Sequence, residues 1–248
     1  MVDLPKDITA GVLRTPLPFK ATTPGWPLGL PKHPLRTEDG VSIDVLVIKQ
    51  AADMINGAQR PIIYAGNGVL SSPLGPPLLL TKLSEIGNIP VTTTLRGVGA
   101  FDESSERSLH MLSMHSSACT NLAIRNADVI IALGARFDDH VTGKVDTFPP
   151  AARAAAISGH GGTIHFENLP KNVNKVMEAQ IPILGDVVAG MNALVPLIRP
   201  PASNGMAGTR DKWLDEIEVW KNKYPFTFEA SKPGNHMKPQ EVIEELDK

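Results

Sequence analysis

Short apolar runs that alternate with helical stretches constrain the fold of this chain more than any other feature. The clearest run covers residues 128–133, and residues 62–65 and 163–167 resemble it. Continuous apolar runs of this length are typical of parallel strands, which helices cover on both sides. We therefore predict an α/β fold, a Rossmann-like parallel sheet with helices on both faces.

The other segments fit this alternation. Two more strands are predicted at residues 89–94 and 181–184. The spacing of apolar residues predicts helices over residues 41–57, 77–86, 115–127 and 187–197. Asn56 and Gly57 are expected to end the first of these helices.

Proline and glycine mark two breaks in the chain. Six prolines fall within residues 14–40, which predicts an extended connector. A second break, rich in Pro, Gly, Ser and Asn, covers residues 199–208. We therefore expect three parts, namely residues 1–40, 41–200 and 201–248.

An apolar stripe identifies a helix in the third part. Trp213, Ile217 and Trp220 share one face of this predicted helix, so it is expected to pack against another surface. A shorter helix is predicted at residues 239–246.

Composition and charge exclude several classes of protein. The net charge is −2 and no basic block is present, which argues against nucleic acid and anionic membranes as partners. No apolar run reaches the roughly 18–20 residues that span a bilayer. Cys119 is the one cysteine, so an internal disulfide and a cysteine-rich metal site are excluded, as is typical of a reducing compartment. The first residues show neither a secretory signal nor a transit peptide.

A ligand is expected beyond the carboxyl ends of the parallel strands. Small and polar residues follow every predicted strand, at 66–68, 94–97, 134–139, 167–168 and 185–186. Such residues allow close backbone approach and bind phosphates and riboses. The same residue types also occur in ordinary turns after strands. From the pattern alone, a long nucleotide and a set of plain turns remain equally good interpretations.

The nicotinamide fingerprint is incomplete in this chain. Gly66 and Gly68 fit the first two glycines, but Ser71 occupies the third position. The acidic residue expected at the end of the second strand is missing, and Thr94 and Arg96 lie there instead. A standard nicotinamide dehydrogenase is therefore disfavoured.

Other chemistry-bearing residues have plainer interpretations. His110 and His115 lack a carboxylate or cysteine partner at metal-ligand spacing, which favours surface or packing roles. The cluster at 138–140 is suited to acid–base work, although ligand binding or pairing with Arg136 is favoured. Cys119 lies in an apolar run, which predicts a packed structural thiol.

Several motifs closely resemble the catalytic subunit of acetolactate synthase (acetohydroxyacid synthase), in its fungal form. They are Val-Asp-Leu-Pro-Lys-Asp at 2–7, Gly-Ala-Arg-Phe-Asp-Asp at 134–139 with Val-Thr-Gly at 141–143, His-Phe-Glu at 165–167 with Pro-Lys-Asn at 170–172, Ser-Leu-His-Met-Leu at 108–112 with Met-His at 114–115, and Trp-Lys at 220–221 with Tyr-Pro-Phe at 224–226. The resemblance covers essentially the whole chain.

The resemblance implies a thiamine-diphosphate enzyme with three α/β domains, of which this chain is similar to the central, FAD-binding one. Residues 1–40 would be the end of the preceding domain and a linker, and residues 201–248 a linker and the start of the diphosphate-binding domain. The family condenses two 2-oxo acids with loss of CO2, in valine and isoleucine biosynthesis in the mitochondrion. The family's activating glutamate and its Gly-Asp-Gly motif for magnesium and diphosphate are not in the matched sequence. The chain is therefore expected to be inactive alone.

The resemblance also implies the site residues. The flavin-binding residues would be Gly66, Gly68, Thr94, Leu95, Met114, His115, Gly134, Ala135, Arg136, Asp138, Val141, Glu167, Asn168, Asn172, Gly185 and Asp186. Lys6 and Asp139 would line the substrate channel. Four residues depart from the family's pattern, namely Arg96, Ser113, Ser116 and His140. In this family the flavin is mainly structural and takes no electrons in the main reaction.

Two other interpretations remain open. The chain would be a non-catalytic assembly module that associates with a full-length synthase subunit, or with copies of itself, through the helix of Trp213 and Trp220. Alternatively, it would be the central domain of another thiamine-diphosphate enzyme, such as a glyoxylate carboligase or pyruvate oxidase.

Overall fold

A six-stranded parallel sheet forms the centre of the protein, in a computed structural model that describes residues 36–37, 40–41, 44–72, 78–203, 205–231 and 236–246. A two-residue antiparallel pair precedes it, β1 (Arg36–Thr37) with β2 (Gly40–Val41). The strands of the main sheet are β3 (Pro61–Ala65), β4 (Val91–Thr93), β5 (Ser108–Met111), β6 (Val129–Leu133), β7 (Gly162–Glu167) and β8 (Ile181–Leu184). Their order across the sheet is β5-β4-β3-β6-β7-β8.

Helices cover both faces of this sheet. They are α1 (Val45–Gly57), α2 (Asn67–Leu70), α3 (Leu78–Gly87), α4 (Ala118–Asn126), α5 (Asp139–Thr142), α6 (Pro150–Ile157), α7 (Val187–Leu194), α8 (Ala207–Lys223) and α9 (Pro239–Leu246). One apolar layer joins the sheet to α1, α3 and α7, and the other joins it to α4, α6 and α8. The predicted α/β fold is confirmed. None of the helices in the described ranges is both long enough and apolar enough to cross a membrane.

The strand order creates a switch point in the middle of the sheet. The chain moves outward from β3 to β5, then returns to place β6 on the other side of β3 and moves outward again to β8. This is the doubly wound arrangement, in which a crevice opens where the winding direction reverses. The crevice therefore lies beyond the carboxyl ends of β3 and β6.

Local capping residues correct two of the predicted helix starts. The first helix begins at Val45 rather than at residue 41, because the Asp44 carboxylate accepts a hydrogen bond from the Leu46 amide at 2.8 Å. The predicted helix 115–127 begins at Ala118, because the Ser117 side chain caps it. His115 therefore lies in the preceding loop.

Several elements were not predicted from the sequence, among them the β1–β2 pair and the four-residue helix α5. In the edge strand β5, the polar residue His110 breaks the apolar pattern and has a φ of 57°. The register between β5 and β4 is also irregular. Helix α6 is a short alanine-rich segment without a stripe of large apolar side chains, and α2 spans only four residues.

Two predicted helices are present in the second half of the chain. The helix predicted at 187–197 ends at Leu194, after which the chain continues as a 3₁₀ turn. The short helix predicted at 239–246 is present.

Helix α8 packs against the protein's own sheet. Trp213 is 1% exposed and Ile217 is 2% exposed. The Trp213 indole donates to the Pro61 carbonyl at 3.1 Å, and its ring meets that of Trp220 edge-on. The apolar stripe that was proposed as an assembly surface is therefore largely buried against the protein's own sheet.

A buried arginine on α8 links three elements. Arg210 is fully buried, and its guanidinium donates to the carbonyl oxygens of Ile55, Ala58 and Gly87. Ile55 and Gly87 lie in the last turns of α1 and α3, where carbonyls lack the i+4 amides of a continuing helix, although the Ala58 amide also donates to Ile55. The carboxyl end of a helix carries a partial negative charge, so a cation placed there is also stabilised by electrostatic attraction. Arg210 thus joins the ends of α1 and α3 to α8.

Two glycine-containing turns cross at the switch point. A Cβ atom on Gly66 would lie 2.2 Å from the Gly134 oxygen, and one on Gly68 would lie 2.7 Å from the Gly134 Cα. Gly134 has a φ of 57°, which L side chains rarely adopt. This close backbone approach therefore requires glycine on both turns.

Replacing Arg210 is expected to destabilise the fold strongly. Arg210→Met should lower the free energy of unfolding by about 3 kcal/mol, because three buried carbonyl oxygens lose the hydrogen bond from the guanidinium and only that of Ile55 keeps a bond from the Ala58 amide. Denaturant unfolding measures this change. The matched control is Arg125→Met on the exposed surface of α4, which should change stability by about 0.5 kcal/mol or less. Equal effects of the two variants would contradict the linking role.

Adding a methyl group at the crossing should also be costly. We expect Gly68→Ala to lower the free energy of unfolding by about 2 kcal/mol, because the backbone of Gly134 must move to admit the Cβ atom. Gly57→Ala is the control, since a Cβ atom there meets nothing within 4 Å. The control should be neutral or stabilising by about 0.5 kcal/mol. Thermal unfolding of both variants tests the prediction, which a stable Gly68→Ala protein would refute.

Candidate functional site

The predicted turns meet along one edge of the sheet, as the parallel topology requires. The Gly66 amide donates to the Leu133 carbonyl at 2.9 Å, and the Gly68 amide donates to the Gly134 carbonyl at 3.1 Å. The Gly134 amide in turn donates to the Phe166 carbonyl at 2.9 Å. The turns that follow β3 and β6 are therefore bonded to each other at the switch point, and the turn after β6 is also bonded to the end of β7.

A cavity of about 170 Å³ opens at this edge. Its lining combines two cations, a carboxylate, an amide, two aromatic rings and apolar side chains, contributed by Arg136, Phe137, Asp138, His165, Asn172, Lys175, Val176 and Met177. Arg136, Asp138 and Asn172 were predicted site residues. Nothing in the sequence pattern singles out Lys175, while His165 was recognisable as a polar residue within a buried strand.

A row of rings forms the floor beneath the turn that follows β6. The Phe137 ring lies edge-on to His165 at 5.5 Å and tilted against Tyr64 at 5.6 Å. His165 is 3% exposed, and its Nε2 lies 3.0 Å from the Ala135 carbonyl oxygen. Burial lowers the pKa of His165, so the neutral ring is favoured.

Two buried hydroxyl groups near this edge have no partner among the described residues. They belong to Tyr64, near the end of β3, and Thr93, at the end of β4. Burial raises the pKa of Tyr64, and the nearby Asp138 carboxylate adds to the effect, so the phenol remains protonated. Buried polar groups usually have partners, which makes these two hydroxyls candidates for hydrogen bonding with a ligand.

Two predicted carboxylates already serve the local backbone. Glu167 is buried, and its Oε1 accepts from the Leu169 amide at 2.9 Å. Asp186 caps α7, since its Oδ1 accepts from the Val188 and Ala189 amides and from the Ser72 hydroxyl. The preceding Gly185 has a φ of 145°.

The remaining predicted residues lie around these turns. Thr94 follows β4, and its amide donates to the Ala65 carbonyl at 2.9 Å. Leu95, His115, Asn168 and Asp139 are exposed, while Val141 is half-buried. Lys6 lies outside the described residues. The hypothesis that Arg136 pairs with a neighbouring carboxylate is not supported, because the described part of the chain shows no ion pair to it.

The loop after β5 contacts the turn after β6 directly. The Met114 amide donates to the His140 carbonyl at 2.8 Å, and the His140 Nδ1 lies 3.2 Å from the Met114 sulfur. Ser113 and Ser116 stabilise this loop, since the Asn121 side chain donates to the Ser116 hydroxyl at 2.8 Å and the Ser113 hydroxyl accepts from the His115 amide. The two serines thus have internal partners in the loop.

The structure agrees with the surface role predicted for His110 and with the packed structural thiol predicted for Cys119. The Nδ1 atom of His110 lies 2.6 Å from a carboxylate oxygen of Glu103 at the surface. Cys119 is buried among apolar side chains, and burial raises the pKa of its thiol. No cluster of three or more metal-ligating side chains occurs among the residues that the structure describes.

Comparison with known proteins places the chain in a family. Residues 48–194 match the family described as thiamine pyrophosphate enzyme, central domain. The whole chain is 46% identical to the mitochondrial acetolactate synthase catalytic subunit of Saccharomyces cerevisiae, covering 34% of that protein. It is also 46% identical over its full length to the mitochondrial acetolactate synthase of Schizosaccharomyces pombe, covering 36% of it.

A more distant relative is also an acetolactate synthase subunit. The acetolactate synthase large subunit of Parasynechococcus marenigrum is 35% identical over 98% of the chain, which covers 35% of that protein. The chain thus spans about a third of the length of the curated relatives it matches. With its doubly wound sheet and with more than half of its residues in the family match, the chain belongs to the thiamine pyrophosphate enzymes and carries their central domain.

Proposed function

We propose that this chain forms the central part of a mitochondrial acetolactate synthase catalytic subunit and holds FAD along the carboxyl edge of its sheet. The observation that carries the proposal is the cavity at the carboxyl edge of the sheet, where Arg136 and Asp138 of the turn after β6 meet Asn172 of the loop between β7 and β8. The 46% identity with two fungal synthases over the full chain supports the choice of enzyme.

The edge has the features that a dinucleotide needs. It offers two cationic side chains, Arg136 and Lys175, for phosphates. It also offers two buried hydroxyls that have no partner among the described residues, those of Tyr64 and Thr93. The glycines at 66, 68 and 134 leave the backbone of two turns open to close approach. The residues present therefore fit FAD.

The size of the cavity restricts how FAD would lie. Pockets that enclose a small ligand usually measure about 300–1,000 Å³, whereas this cavity measures about 170 Å³. It would take one end of the molecule, and the remainder would extend along the open edge past the turns at 66–68 and 94–97. The long row of predicted contacts, from Gly66 to Asp186, is consistent with such an extended pose.

The roles of individual side chains follow from their chemistry. Arg136 would pair with a phosphate, while Asn168 and Asn172 would hydrogen-bond the ribose and the base. Glu167 and Asp186 would act mainly through the backbone that they cap, because their Oε1 and Oδ1 atoms are already engaged. When bound, FAD supplies a flavin ring, which by similarity to the family is structural rather than an electron carrier in the main reaction.

The rest of the reaction is assigned to the whole protein. Condensation of two 2-oxo acids would use thiamine diphosphate and Mg²⁺ held by the remaining two thirds of such a synthase. Within this chain, residues 1–40 would be the end of the preceding domain and a linker, residues 41–200 the flavin-binding domain, and residues 201–248 a linker and the start of the diphosphate-binding domain. Lys6 and Asp139 would border the substrate channel. Association would be as a subunit of a synthase, either with itself or with other subunits.

FAD binding by the purified chain tests the proposal. Quenching of flavin fluorescence should saturate, and Arg136→Ala should weaken binding about tenfold, because one charge-assisted bond to phosphate is lost. The control is Arg125→Ala, which removes an exposed arginine at the opposite edge of the sheet, where α4 leads into β6. A folded chain that gives no saturable response would refute the flavin assignment. Equal losses in both variants would refute the role of Arg136.

A further inference from the structure

We propose that His165 is a positioning residue for the flavin-binding turn: its Nε2–H holds the Ala135 carbonyl and thereby fixes the direction of Arg136. This inference rests on the proposed function for its ligand, but its structural part stands on contacts within the chain. His165 was not among the predicted site residues.

The geometry of the ring determines which atom carries the proton. The Nε2 atom of His165 lies 3.0 Å from the Ala135 carbonyl oxygen. A carbonyl oxygen only accepts hydrogen bonds, so Nε2 must donate. The edge-on contact with Phe137 at 5.5 Å restricts rotation of the ring. His165 is therefore held as a neutral Nε2–H donor aimed at a single carbonyl.

The turn above His165 has few other hydrogen bonds. The described structure shows no backbone-to-backbone hydrogen bond from Ala135, Arg136 or Phe137. The chain is fixed by backbone bonds at Gly134 and again at Asp138, whose carbonyl accepts from the Val141 and Thr142 amides. Between these two points, the bond from His165 to Ala135 is the polar contact that sets the orientation of the peptide. The next residue is Arg136, whose side chain lines the cavity.

The charges around His165 come from three elements. Glu167 lies on the same strand, Arg136 and Asp138 lie on the turn above, and Lys175 lies across the cavity. Glu167 favours the charged ring, but desolvation outweighs it, so the pKa of His165 is lowered. Protonation would add a second donor at Nδ1, inside a buried site. The neutral ring is thus the form that fits the turn.

Two substitutions separate positioning from packing. In the full chain, His165→Leu keeps apolar volume but loses the donor, and it should weaken FAD binding about tenfold. His165→Gln retains an Nε2–H donor at a similar reach, and its affinity should remain within about threefold of wild type. Hydrogen exchange at the Arg136 and Phe137 amides should accelerate in His165→Leu and stay near wild type in His165→Gln.

The outcomes distinguish this inference from the proposed function. Unchanged FAD affinity in His165→Leu, with the wild type binding, would overturn the inference alone. If the wild type ignores FAD, the flavin assignment fails, and amide exchange then decides whether His165 fixes the turn. If backbone amides throughout the protein lose protection from exchange equally in His165→Leu and His165→Gln, His165 has a purely structural role and the inference is overturned. Should His165→Leu not fold, the ¹⁵N shifts of the wild-type imidazole decide, because an Nδ1–H tautomer contradicts the proposed bond.

The burial of His165 also predicts a dependence of stability on pH. Its pKa is lower in the folded chain than the ordinary value of about 6.5, so the unfolded chain binds the proton more readily. The free energy of unfolding should therefore fall as the pH drops below about 6.5, and this part of the slope should vanish in His165→Gln. His160→Gln, at an exposed histidine, is the matched control and should retain the wild-type slope. Denaturant unfolding between pH 5 and 8 measures both, and identical slopes in all three proteins would contradict the prediction.

Discussion

The close crossing of the turns at Gly66–Gly68 and Gly134 is the constraint on which the rest of the site depends. A Cβ atom on either turn would overlap the other backbone at less than 3 Å. The crossing brings the ends of β3 and β6 together, and a further bond from Gly134 to Phe166 adds the end of β7. Because three strand ends are joined by backbone contacts, the side chains that follow them reach the same crevice. The doubly wound sheet creates the crevice. The glycines allow the two turns that border it to come into backbone contact.

Polar side chains at this edge divide into those that maintain the backbone and those available to a ligand. Glu167 and Asp186 accept hydrogen bonds from amides, and His165 donates to a carbonyl. Arg136 lacks an ion-pair partner in the described ranges. The hydroxyl of Tyr64 likewise has no partner there. A polar side chain at this edge therefore need not touch a ligand, since its effect can pass through the turn that it stabilises.

The sequence predicts the fold better than it predicts the site. Strand positions such as those of β3 and β6 follow from apolar runs, because burial on both faces leaves a clear pattern. Strand β5 lacks that pattern, since it lies at the sheet edge and turns at His110 through a positive φ. Arg136 and Asn172 were found because they follow strands or belong to a family motif. Lys175 was not, because its place at the cavity depends on how the loop between β7 and β8 folds back. That information is absent from local spacing.

Arg210 has a consequence for the order in which the protein can become stable. Its guanidinium reaches carbonyls of Ile55, Ala58 and Gly87, which lie between 123 and 155 residues earlier in the chain. The segment that defines the family ends at residue 194. During synthesis, α1 and α3 therefore emerge long before the side chain that satisfies their carboxyl ends. The contacts of the fold thus extend beyond the family match, and a shortened version that ends at residue 194 would lack the arginine that bonds these three carbonyls.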